Sequence, residues 1–144
     1  MKNTIKRSIA LVLSLLTLFA FFAVPTSKVS AATMYNNTVS ATLSCDVDSA
    51  GCLYSYLSVA GKSGTTRIAV ELYVDKQILG LFWSRVNIGY ENNVWTDYTT
   101  KSCYSNTFST YLPSHGTFRV TVTYTVSDSG GANDIITKTQ TITY

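Results

Sequence analysis

The 144-residue chain carries 11 Lys and Arg against 8 Asp and Glu. Four of the cations (Lys2, Lys6, Arg7 and Lys28) and none of the acids fall in residues 1–31, so the remainder has seven against eight, a net charge near −1. With no basic run left, the composition excludes nucleic-acid or acidic-membrane binding driven by a charged field.

Residues 1–31 read as a signal peptide: a positive start, the apolar run IALVLSLLTLFAFFAV, and small residues at Ser30, Ala31 and Ala32. The run of about 16 residues is shorter than the ~20 of a membrane span. Cleavage is therefore expected, leaving residues 32–144 as one secreted domain with no stable membrane anchor. About 110 residues suffice for one independent core.

Val39 to Val47 alternates apolar and polar residues and predicts a first strand, turned by Asp48 to Gly51 into a second strand, CLYSYLSVA. Setting Val47 opposite Leu53, Leu43 opposite Leu57 and Ala41 opposite Val59 places the apolar residues on one face. That register turns Cys45 inward and Cys52 outward. Thr65 to Asp75 predicts a third strand with Ile68, Val70, Leu72 and Val74 inward and Arg67, Glu71 and Asp75 outward.

Lys76 and Gln77 are expected to interrupt it. ILGLFWSRVNI then follows as an edge strand or bent hairpin return, with Phe82, Val86 and Ile88 inward and Trp83 and Arg85 outward. Gly89 to Asn93 is a turn, VWTDY a short extended piece, and YSNTFSTYL a strand burying Phe108. The most regular alternation is GTFRVTVTYTVSD, Gly116 to Asp128, which predicts the central strand, with IITKTQTITY pairing beside it. About seven strands and no helix predict an all-β, immunoglobulin- or fibronectin-like antiparallel sandwich. No cysteine lies on the central strand, which argues against an antibody-type domain.

Taken together, the leader, ATLSCDVDSAGCLYSYLSV, SGTTRIAVELYV, the Trp-containing middle, and GTFRVTVTYTV with ITKTQTITY resemble uncharacterised small secreted β-sandwich proteins of Gram-positive Firmicutes. The resemblance implies a compartment and a fold. It carries over no catalytic or binding residue.

Cys45, Cys52 and Cys103 are an odd number for an exported chain. A Cys45–Cys52 bridge is favoured by proximity and opposed by the register, and a bridge from Cys103 or none at all are the alternatives. No short C-x-x-C pair suggests a metal site, and no cofactor is implied. His115 is the single histidine and sits in a turn, where solvation is the ordinary state. The eight acids supply no evident catalytic pair, and Asp128 and Asp134 lack the spacing of a calcium loop.

Trp83, Tyr90, Trp95 and Tyr98 concentrate beside Asn87, Asn92, Asn93 and Asp97, the pattern of aromatic faces flanked by polar groups that sugars and protein hot spots use. The competing assignment puts the two tryptophans in the core. Threonines on the central and last strands are expected to form a cross-strand ladder. The expected function is non-enzymatic surface binding to a cell-wall or host glycan, or to an extracellular protein. The alternatives are a released effector (bacteriocin, toxin or inhibitor) and a structural subunit joined through edge strands or a free cysteine.

Overall fold

The computed structural model describes residues 35–144; the expected signal peptide lies outside the described residues. Alternation is realised as eight strands: β1 (Thr38–Val47), β2 (Cys52–Gly61), β3 (Thr65–Ile78), β4 (Phe82–Arg85), β5 (Trp95–Thr99), β6 (Cys103–Tyr111), β7 (Thr117–Asp128) and β8 (Asp134–Thr143). They form two antiparallel sheets, one ordered β1-β2-β6 and the other β4-β3-β7-β8, with β5 also on β3. With β1, β2, β3, β6, β7 and β8 taken as strands A, B, C, E, F and G, these are the A-B-E and C-F-G neighbours of an immunoglobulin-like sandwich. The count exceeds the expected seven because β4 and β5 lie end to end along one edge of β3, opposite Asp75–Ile78 and Ile68–Leu72.

The β1–β2 register has Val47 opposite Leu53, Leu43 opposite Leu57 and Ala41 opposite Val59. Gly51 adopts φ +80 in the turn, where the Tyr144 ring leaves no room for a side chain. Leu53, Leu57 and Val59 of β2 face Ile68, Val70, Leu72 and Val74 of β3 and Phe118, Val120, Val122, Tyr124 and Val126 of β7; all are at most 1 % exposed. Burying each such side chain is worth about 1.5–3 kcal/mol. Residues 35–144 lie in one compact unit, and every residue of this core is within it.

Both flanks of the sandwich are closed by side chains. On one, Gln140 of β8 accepts from the Cys45 amide at 2.9 Å and donates to the Cys45 carbonyl at 3.3 Å, occupying the free edge of β1 as a strand would. Deeper in, the Tyr124 hydroxyl donates to the Thr42 carbonyl at 2.6 Å. The other flank is covered by Val86, Ile88 and Trp95, with Trp95 5.3 Å and Tyr90 6.2 Å from the Phe108 ring.

Three local expectations are corrected. Lys76 and Gln77 do not interrupt β3, which runs on to Ile78 and turns at Leu79 and Gly80, both at positive φ. Phe82 is inward by alternation yet 66 % exposed, because β3–β7 pairing ends at Lys76–Phe118 and the hairpin overhangs the core. Cys52, on the outer side of the hairpin, is nonetheless buried.

Candidate binding surface

Register fixes which side chains the five-stranded sheet turns outward. On β3 these are Arg67, Ala69, Glu71, Tyr73, Asp75 and Gln77; β7 adds Arg119 and Thr121, β4 adds Trp83 and Arg85, and β5 adds Thr96 and Tyr98. Asp75 stands directly opposite Arg85 on one side and Arg119 on the other. Its carboxylate accepts from Arg85 Nε and Arg119 Nη2, each at 2.9 Å. Arg85 lies 3.6 Å from the centroid of the Tyr73 ring and Arg119 lies 4.4 Å from that of Trp83. An aromatic, cation, anion, cation, aromatic row thus crosses three strands. It also explains why Asp75, outward as expected, is only 5 % exposed: the long neighbouring side chains cover it.

Further along β3 the same face forms a shallow groove of about 320 Å³, lined by Arg67, Glu71, Thr96, Asp97 and Tyr98. Tyr98 is 61 % exposed, and the Arg67 guanidinium stands 4.9 Å from its centroid. Asp97 points inward, accepting from the Tyr104 hydroxyl at 2.7 Å and Asn106 Nδ2 at 3.0 Å on β6. The Tyr104 bond, chiefly, holds its carboxyl below the ordinary range against the opposing effect of burial. Tyr104 is raised in turn, by burial first and then by Asp97.

The four aromatic residues singled out from the sequence do not share one surface. Trp83 and Tyr98 are on the outer face, but their partners Gln77 and Ala69 lie eight residues apart, or roughly 26 Å at about 3.3 Å per residue. Trp95 and Tyr90 belong to the flank packed on Phe108. They are separated because the chain between β4 and β5 dips to bury Val86 and Ile88. Arg67, Tyr73, Arg85 and Arg119 were not singled out; each follows an outward position of an alternating strand.

All three cysteines are free. No bridge joins Cys45 to Cys52: Cys45 faces Ser55 across the hairpin, and Cys52 pairs with Tyr111 on the far strand. Burial raises the Cys45 thiol above its ordinary value, with the Ser55 contact opposing. Among the described residues no group of three or more His, Cys, Asp or Glu side chains converges as a metal set. Asp134, half of the loop weighed for calcium, instead accepts from the Asn36 and Asn37 amides at 3.0 and 2.7 Å. His115 is exposed and stacked on Tyr144, with ring centroids 4.1 Å apart. The threonine ladder comprises Thr121 with Thr139 and Thr123 with Thr137, their hydroxyls 3.4 and 3.3 Å apart.

No protein-family model matches the chain, and no curated protein matches it.

Proposed function

We propose that the domain is a secreted, non-enzymatic binding module that takes a carbohydrate in the groove between β3 and β5. The observation that carries this reading is Tyr98, a ring 61 % exposed beside Arg67, Glu71 and Thr96. A large aromatic face covers the C–H side of a sugar ring, while the guanidinium, carboxylate and hydroxyl neighbours meet its hydroxyls. The groove, about 320 Å³, is at the small end of ligand sites, which suits one or two rings of a longer glycan at the cell exterior. The site rests on a strand paired along both edges, so its groups are held in place before binding.

Co-sedimentation of residues 34–144 with isolated Gram-positive cell walls, competed with soluble host glycans, tests the reading. Retention should be lost in Tyr98→Ala and Glu71→Gln with thermal melting unchanged, and kept in Trp83→Ala, roughly 26 Å away by strand spacing. Equal retention of Tyr98→Ala would take the groove out of the account. No retention on any wall or glycan would remove carbohydrate and leave a protein partner.

A further inference from the structure

The β3–β4 hairpin ends in Ile78-Leu79-Gly80-Leu81-Phe82, with no polar side chain in the stretch. Its four large side chains are 41, 86, 75 and 66 % exposed. Single exposed apolar residues are common on folded surfaces, but a contiguous set at a protruding turn marks an interaction site. The tip overhangs the last β3–β7 pair, so no residue of the core requires it.

The shape and bonding of the tip say what covers it. Leu79 and Leu81 flank Gly80, while Ile78 and Phe82 form the pair below, so apolar groups surround a convex end. A fluid apolar medium covers such an end on all sides; a rigid partner surface covers it on one. Two of the turn's carbonyls are also answered from within. Leu81 N–H donates to the Ile78 carbonyl at 3.1 Å, and Gln77 Nε2 donates to the Gly80 carbonyl, also at 3.1 Å. A carbonyl entering hydrocarbon without a partner is costly, and here a side chain supplies the donor.

Behind the apolar end come Trp83, whose ring carries the Arg119 guanidinium, and Lys76, which donates to the Ser114 hydroxyl, so an aromatic and cations already held by the domain stand at the height where lipid headgroups would lie. Two residues of strand reach about 7 Å, within the depth to which interfacial elements sink. The β1–β2 turn lies at the same end of the sandwich, against Tyr144, and its carboxylates are directed back on their own backbone. Asp46 accepts from the Val47 amide at 2.9 Å, and Asp48 accepts from the Ala50 and Cys52 amides at the same distance.

We propose that this hairpin tip inserts into the interfacial layer of a lipid bilayer, anchored by Ile78, Leu79, Leu81 and Phe82. The anchor is apolar, so it does not depend on anionic lipid. It goes beyond the carbohydrate reading and shares no residue with the groove.

The test is flotation of residues 34–144 with phosphatidylcholine vesicles and with vesicles that also contain phosphatidylglycerol. The protein should float with both, and raising NaCl from about 0.1 to about 0.5 M should change the bound fraction by less than about twofold. The double substitution Leu79→Ser with Leu81→Ser should lower the bound fraction at least ~tenfold without lowering the melting temperature, since these side chains bury little. Tyr98→Ala should float like the parent, which separates this proposal from the groove. Absence of flotation, or flotation only with anionic vesicles that salt abolishes, would overturn it. So would a dimer in sedimentation velocity that the double substitution dissolves without any flotation, since the tips would then cover one another.

Discussion

Asp75 receives a guanidinium from each neighbouring strand, both at 2.9 Å, and is itself almost wholly covered. Breaking a buried ion pair by removing one partner costs about 3–5 kcal/mol. Here the arginine side chains are 37 and 33 % exposed, so water screens what remains. Asp75→Ala should therefore destabilise the domain by about 2 kcal/mol in urea denaturation. Asp75→Asn, which keeps the shape and removes the charge, should cost nearly as much; a loss below about 0.5 kcal/mol would mean that stacking on Trp83 and Tyr73 alone holds the arginines. Asp134 makes a different prediction. Burial pushes its carboxyl up, but the amides of Asn37 and Asn36 outweigh that and hold it below the ordinary value. Because the folded form is the weaker proton acceptor, its stabilisation is complete above an unfolded pKa of about 3.9 and disappears as pH falls through the depressed folded value. Acid titration of stability should show a steep limb below about pH 4 that Asp134→Asn flattens, with hydrogen exchange at Asn36 and Asn37 accelerating over the same range.

At the scale of elements, the β1–β2 register was legible from Ala41 to Val47 because only one register puts both apolar sets on the same face, and Asp48 to Gly51 supplied a turn; Val39, alternating with them in sequence, is instead 67 % exposed where the register shifts between Thr38 and Ser40. β7 and β8 followed for the same reason, as did β3 as far as Asp75. β4 was legible as an edge strand returning on β3 with Trp83 and Arg85 outward, and only Phe82 was misplaced, because alternation says nothing about a hairpin that reaches past the core. The turn itself also carries an unfavourable residue. Leu79 and Gly80 have φ of 52 and 70 in the three-residue loop, the left-handed region where Asn or Gly is preferred and a leucine is strained. Leu79→Asn should thus stabilise the domain by about 0.5–1 kcal/mol in chemical denaturation, although it removes a large apolar group. The same variant should float less well with vesicles. Strained and exposed, Leu79 is a poor choice for folding and a good one for contact.

Across the whole molecule, the candidate site was less legible than the fold, because a surface is assembled from positions far apart in sequence. Tyr98 was visible as an aromatic beside polar residues, but its neighbours Arg67 and Glu71 come from another strand. Trp95, sharing its sequence neighbourhood, turns the opposite way because alternation sends residues three apart to opposite faces. The two sheets are tied by a tyrosine hydroxyl on each flank: Tyr124 to the Thr42 carbonyl at 2.6 Å and Tyr104 to the Asp97 carboxylate at 2.7 Å. Burial is the main cause that pushes Tyr124 up to about 12, so both hydroxyls stay protonated as donors well above neutral pH. Tyr124→Phe and Tyr104→Phe should each cost about 1 kcal/mol, since each removes a hydrogen bond between the sheets. The latches share no residue, so the double variant should lose the sum to within about 0.5 kcal/mol, measured by urea denaturation at neutral pH. A coupling energy above about 1 kcal/mol would show that the core transmits strain between the flanks. Tyr104→Phe should also let the Asp97 carboxyl rise toward its ordinary value, weakening the pH dependence of stability below about pH 4. Tyr124→Phe should leave that acid limb in place, so the two latches separate by pH even where their energies match.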